Sequence, residues 1–408
     1  MDDAAPLAGL RVLDFTQNLP GPYATLVLAS LGAEVIKIEP PGGDTARMTP
    51  RLFEIVNAGK RSIVLDLKRD DVGETLRALV RSSDVVVEGF RPGVMARLGC
   101  DAIAARRDNP RLVYCSISGY GQDGPYRSYP GHDLNFQALT GLCELSRDRH
   151  EHPFGAALPI ADLSSAMTAS TAILAALLAR ARDGQGRVLD VAMVDTLLSW
   201  THAWAEGLGL GERTLAGAID RAAAAASERG GPVGAAASRL QRWLQQPGRD
   251  RLDAVSQRLA RSAPVRRLAR LRLHALPHYG LFRTRDDRWL SIAIVDEEKF
   301  WRALCRALGL PAVALAVPLP LRAVAGGPLR TLVARAIRSR PLSHWLTHLD
   351  RERIPVAPVL PLHEALDDPQ LVWRRGGAPV GAPLPLAMQP LGPAPALGQH
   401  TEALLASL

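Results

Sequence analysis

Cysteine, aromatic side chains and long apolar runs are all scarce in this chain of 408 residues. The four cysteines, Cys100, Cys115, Cys143 and Cys305, are scattered and form no C-x-x-C pair. That argues against a disulfide framework or a zinc ribbon and suits a reducing, cytoplasmic setting. The opening MDDAAPLAGLRVLDF has neither the basic n-region nor the apolar h-region of a signal peptide. The longest apolar run, about Ala166–Leu178, is broken by Thr and Ser and falls short of a membrane span. Familiar nucleotide and hydrolase signatures are missing too. DFTQNLPGPYAT follows the first strand-like run with a single glycine in its loop, which disfavours nicotinamide or flavin binding. There is no P-loop, no G-x-S-x-G and no H-E-x-x-H, and His132, His150 and His152 do not make a metal-ligand spacing.

The formal charge is +8, which raises nucleic acid as a partner. The excess is local: thirteen Arg face four acids between Arg213 and Leu273, a net +9, so the rest of the chain is close to neutral. A solvated basic helical face is the favoured reading, and an anionic ligand or partner the alternative. That stretch carries one aromatic, Trp243, too few for a single-strand stacking platform. A basic nucleic-acid-binding protein without turnover has no other support, so the expectation is no nucleic acid and no membrane.

What is present is an alternation of strand and helix signals. LRVLDF (10–15), VIKIE (35–39), SIVLDL (62–67), DVVVEGF (84–90), LVYCSIS (112–118) and RVLDVAM (187–193) read as strands. Their continuous apolar character predicts a parallel sheet covered on both faces, built from right-handed βαβ units. Helices are expected over Tyr23–Leu31, Val72–Arg81 and about Leu163–Ala181. An Ala/Arg/Gly-rich stretch carries helical stripes at Leu240, Trp243 and Leu244 and at Leu252, Val255 and Leu259. A hairpin follows at 279–295, then helices over Glu297–Leu308 and Leu342–Leu349, and a Pro-rich tail at 379–398. The expected domains are 1–205, a helical insertion or linker at 206–275, a smaller α+β domain at 276–339, and a return to the first domain at 340–408.

Three clusters carry candidate chemistry. Glu88-Gly89-Phe90-Arg91-Pro92-Gly93-Val94, leading to Arg97, ends a strand, where open α/β sheets bind ligands. Its glycines admit a close ligand and its arginines suit phosphate; a structural turn with solvated arginines is the alternative. Ser118–Tyr126 is a glycine-dense loop running to Pro130-Gly131-His132-Asp133, with His132 a candidate acid/base group or an ordinary structural histidine. Pro159-Ile160-Ala161-Asp162-Leu163 puts an acid at the start of a long apolar helix, and residue type alone favours a plain N-cap role for Asp162.

These clusters, in this order, resemble the family III CoA-transferase superfamily, which includes α-methylacyl-CoA racemases and carnitine/bile-acid CoA-transferases. The resemblance runs through LAGLRVLDFTQNLPGPYAT, LGAEVIKIEPPGGDTAR, EGFRPGVMARLG, SISGYGQDGPY, PGHDLNFQALTGL, PIADLSSAM and GQGRVLDVAM. It resumes at FRTRDDRWLSIAI, EEKFWRALCRALGL and IPVAPVLPLHEALDDPQL. It implies a Rossmann-like large domain, a smaller α+β domain and an interlocked homodimer. Coenzyme A would be part of the substrate, with no permanently bound cofactor. Matching positions for its contacts are Lys68, Gly89, Phe90, Arg91, Arg97 and Leu98. Asp162 matches a group that is a nucleophile in transferases and an acid/base in racemases. His132 matches the opposing racemase base, and Glu297 the partner of that histidine. The glutamine that formyl-CoA transferase places after the first strand falls at Leu19. The racemase chemistry is therefore favoured, with CoA transfer as the alternative.

Overall fold

The computed structural model describes residues 5–146, 152–207, 276–295, 297–315, 317, 322, 326–375 and 391–407. The helical stripes expected around Trp243 and Val255, the Arg-rich stretch, His150 and most of the Pro-rich tail lie outside the described residues. The chain divides into two compact units, one taking Met1–Ala203 with Val380–Leu408, the other Trp204–Pro379.

The first unit is a six-stranded, wholly parallel sheet of β1 (Arg11–Phe15), β2 (Glu34–Glu39), β3 (Arg61–Val64), β4 (Val85–Glu88), β5 (Val113–Ser118) and β6 (Val188–Ala192). Their spatial order is β3-β2-β1-β4-β5-β6. The direction of winding reverses between β1 and β4, which opens a crevice at their carboxyl ends. The helices of this unit include α1 (Pro20–Ser30), α2 (Pro50–Val56), α3 (Gly73–Arg81), α4 (Val94–Arg97), α5 (Ala102–Asp108), α6 (Asp133–Leu139), α7 (Leu142–Leu145), α8 (Ile160–Asp183), most of α9 (Met193–Gly207) and, from the C-terminal segment, Thr401–Leu405.

Alternate strand residues feed two separate cores. Val12, Val85 and Val113 pack with Val27 and Leu28 of α1 and Ala169 and Ile173 of α8. Leu13, Val86 and Tyr114 face the other way, onto Leu76 and Leu79 of α3 and Ala105 of α5. This double cover explains the unbroken apolar strands. α8 is longer than its apolar run suggests. Its 24 residues are long and apolar enough to cross a membrane by length and composition, yet half of that window is buried inside the protein. α1 begins Pro20-Gly21-Pro22, and a Cβ on Gly21 would stand 2.1 Å from Thr16 Cβ. Only glycine lets the helix start that close to the end of β1.

The second unit holds a three-stranded antiparallel sheet of β7 (Tyr279–Arg283), β8 (Trp289–Ala293) and β9 (Val356–Pro358). Helices Glu298–Ala307, Gly326–Arg338 and Leu342–Arg351 share a core of Phe282, Leu290, Ile292, Trp301, Leu304, Val333 and Trp345. The hairpin turns through Asp287, at φ +59°. Beneath it His278 is fully buried. Its Nδ1–H donates to Ile294 O at 2.9 Å, and its Nε2 faces Arg322 Nη1 at 3.0 Å. Burial, with Arg322 adding to it, pulls its pKa down to about 4. The unfolded chain therefore takes up this proton near the ordinary histidine value while the folded one resists it. Stability from this group is present above about pH 6.5 and is lost as pH falls towards 4. The expected loss is roughly 3 kcal/mol. A His278→Gln variant should show a shallower fall in melting temperature between pH 7 and 4.5 than the parent. Parallel curves would remove His278 as the cause.

Candidate active site

The carboxyl end of β1 is built on buried charge. Asp14 of β1, Lys37 of β2 and Lys60, just before β3, all have fully enclosed side chains. Lys60 Nζ reaches Asp14 Oδ2 at 3.0 Å, Pro22 O at 2.9 Å, Thr25 Oγ1 at 2.8 Å and Asn57 Oδ1 at 2.9 Å. Burial opposes the charge on Asp14, but Lys60, Lys37 and the Thr16 and Thr25 hydroxyls outweigh it and hold the carboxyl well below the usual range. Burial brings Lys60 down to about 8, against the pull of Asp14. Lys37 Nζ pairs with Asp44 Oδ2 at 2.8 Å and donates to Thr16 O at 2.9 Å. Thr16 N–H donates to Asp14 Oδ1 at 2.9 Å. The loop leaving β1 is thus pinned from beneath.

Above that loop lies a cavity of about 220 Å³, lined by Phe15, Thr16, Gln17, Asn18, Pro20, Gly21, Gly89, Phe90, Ile117 and Met193. It sits at the ends of β1, β4 and β5, in the crevice that the strand order predicts. Gly89 and Phe90, two expected CoA contacts, are in its wall. Glu88 just below accepts the Phe90 N–H at 2.8 Å; burial, helped by Asp190, pushes its carboxyl above the ordinary value. Gly93, at φ +87°, turns the chain into α4. Arg91 and Arg97 are exposed around that turn and Leu98 is half-buried. Lys68 is exposed beyond β3, its backbone N–H donating to Asp66 Oδ1 at 3.1 Å. Arg91→Ala should weaken CoA binding by roughly 1.5–3 kcal/mol, the worth of one charge-assisted phosphate contact, with a smaller effect on kcat. An unchanged Kd for CoA by calorimetry would remove Arg91 from the site.

The second part of the site joins α6 to α8. His132 is the residue immediately before α6, and its backbone N–H donates to Asn135 Oδ1 at 3.0 Å. Asp162 is the third residue of α8, so the N-cap reading of Asp162 is corrected: Pro159 holds the cap position. The capping carboxylate comes instead from Asp133, whose Oδ1 accepts the N–H groups of Ala161 at 2.7 Å and Asp162 at 3.2 Å. Gln137 holds the other Asp133 oxygen and accepts the Ala156 N–H at 2.8 Å. With the cap supplied from elsewhere, the Asp162 carboxylate is released from helix duty. Burial first, and then the charge of Asp133, raise its pKa to about 6; His132 is near enough to oppose them. Phe136 of α6 and Ala161 of α8 pack with Met193, which also lines the cavity.

His132 and Asp162 are therefore brought together. Glu297 belongs to the second unit, at the N-cap of helix Glu298–Ala307, with its Oε2 accepting the Val295 N–H at 3.0 Å. Sequence reasoning missed Asp133, although its place beside His132 in Gly-His-Asp was a usable signal. It also missed the buried lysines.

The profile of CoA-transferase family III matches residues 7–228 and 251–401. The chain is 31% identical over 438 residues to a succinyl-CoA:mesaconate CoA-transferase of Haloarcula marismortui, covering 98% of this chain and 95% of that one. It is 27% identical over 415 residues to the alpha-methylacyl-CoA racemase of Homo sapiens, covering 98% and 92%. A succinate–glutarate CoA-transferase of Agrobacterium fabrum is 38% identical over 205 residues, 47% of this chain and about half, 51%, of that protein's length. Among solved structures, a CaiB/BaiF family protein from Brucella suis superposes with a TM-score of 0.74 at 25% identity, over 99% of both chains. Agreement on this scale, reaching through both units and the clusters described above, makes the chain a member of CoA-transferase family III.

Proposed function

We propose that the chain is a 2-methylacyl-CoA racemase or epimerase working by α-proton exchange between His132 and Asp162. The thioester acidifies the α-proton. One group removes it, leaving an enolate, and the other returns a proton to the opposite face of the carbon. Gly89, Phe90, Leu98, Lys68, Arg91 and Arg97 would hold the CoA portion of the substrate. The supporting observation is the Asp162 carboxyl, which burial brings to about 6 beside a histidine. A group near neutrality can both take and give a proton at physiological pH.

CoA transfer is the second reading, favoured by the higher full-length identity to a CoA-transferase, 31% against 27% for the racemase. There the Asp162 carboxylate would attack the thioester carbonyl and expel CoA as thiolate to give a mixed anhydride; an aspartyl-CoA thioester would follow. Incubation with 2-methylacyl-CoA in D2O separates the two. Deuterium at C2 supports exchange. Absence of deuterium, with hydroxylamine trapping of an acylated Asp162, supports transfer and ends the racemase proposal.

A further inference from the structure

The loop between β1 and α1 is fixed more firmly than a connector requires. Asn18 lies at φ +63°, in the left-handed region that few non-glycine residues occupy. Its backbone N–H donates to Asp44 Oδ1 at 3.1 Å, and its side-chain Oδ1 accepts the Thr45 hydroxyl at 2.6 Å. Asp44 is buried and held in turn by Lys37. Buried ion pairs contribute little net stability, and fixing one geometry is their better-attested use. Here that geometry is Asn18. With the backbone N–H and the side-chain oxygen both held, the side-chain group left over is the amide Nδ2, which has no acceptor among the described residues. Asn18 is exposed and lines the cavity. The cavity lining contains no charged side chain; its polar side chains are a hydroxyl and two carboxamides, amid Phe15, Phe90, Ile117 and Met193. Such a lining suits an uncharged hydrogen-bond acceptor rather than a phosphate or carboxylate.

We infer that Asn18 Nδ2 donates to an uncharged carbonyl oxygen of the substrate arm, a thioester or a pantetheine amide, and that Thr45, Asp44 and Lys37 position it. This rests on the acyl-CoA reading of the site. Asn18→Gly is the discriminating variant, because glycine keeps the left-handed backbone and removes only the carboxamide. Binding is measured by calorimetry for 2-methylacyl-CoA, for the matching S-alkyl thioether of CoA, and for ADP. The variant should bind the acyl-CoA roughly three- to tenfold more weakly, the worth of one neutral hydrogen bond, with ADP unchanged. A thioether that keeps its affinity identifies the thioester carbonyl. A thioether weakened to the same degree identifies a pantetheine amide. Unchanged binding of all three ligands would show Asn18 to serve the turn alone, and loss of ADP as well would show a collapsed loop; either overturns the inference. Thr45→Val, at an exposed position, should give the same ligand-selective loss by a smaller factor, and no loss would remove the positioning role. If the wild type exchanges no deuterium yet shows this pattern, the racemase reading fails and the Asn18 assignment stands.

Discussion

Asp162→Ala is expected to abolish turnover, by about 10³-fold or more, in either chemistry that the site supports. Racemisation loses one of its two proton carriers and transfer loses its nucleophile. The fold should not suffer, because Asp133 and not Asp162 accepts the N–H groups at the start of α8. Stability should move the other way above neutrality. The folded-state pKa of Asp162 is raised, so stability from this group falls as pH rises from the ordinary carboxylate value through about 6. Ionised wild type carries that burden at pH 8, of the order of 1–2 kcal/mol once partial exposure is allowed for. Asp162→Asn should therefore melt at or above the wild-type temperature at pH 8 and lose that advantage at pH 4. For the wild type, kcat/KM should bend near pH 6. Activity within tenfold of wild type in the folded Ala variant would remove Asp162 from the chemistry.

His132→Phe should erase α-proton exchange, again by about 10³-fold, and leave any CoA transfer in place. A phenyl ring carries no proton, so the second face of the α-carbon has no acid or base. The nucleophile of a transfer reaction is untouched. The substitution is mild for the scaffold: His132 is exposed, and Phe keeps the backbone N–H that donates to Asn135 Oδ1 and the carbonyl that accepts the Asn135 N–H at 2.8 Å. Deuterium incorporation at C2 by wild type and none by the variant would hold the racemase assignment. Exchange by the variant at the wild-type rate would remove His132 from the reaction and return the assignment to transfer.

Much of the first unit was legible in the chain because its signals are local. Continuous apolar runs such as Val85-Val86-Val87 announce a sheet covered on both faces, and the loop at Gly89 marks the end where ligands bind. The reading failed where the decisive partner lies far off in sequence. An acid at the head of an apolar helix reads as a cap, and only the fold brings Asp133, 29 positions before Asp162, to the helix end in its place. Lys37 sits in a strand that otherwise reads as core; its partner Asp44 is only seven positions on, but it takes the intervening turn to bring that carboxylate back and make the burial tolerable. Asn18 gave no signal at all: its meaning lies in a backbone angle. The pairing of His132 with Asp162 rests on family resemblance, since a separation of thirty positions hides it from any spacing argument.

The outer edge of the sheet has a consequence for the order in which the chain is made. β3 is one of the sheet's two edge strands, and two of its outward N–H groups are taken not by a neighbouring strand but by residues near 400. Ser62 N–H donates to His400 Nδ1 at 3.2 Å, and Val64 N–H to Thr401 Oγ1 at 3.0 Å, 337 positions along the chain. A growing polypeptide on the ribosome can pair its six strands once β6 has emerged, but it carries an open, adhesive edge until residues 391–407 arrive to close it. Unpaired edges of that kind recruit strands from other chains. Synthesis of the second unit therefore falls within a period when the first is assembled but unsealed, and chains released early, before Gln399, would be the ones to aggregate.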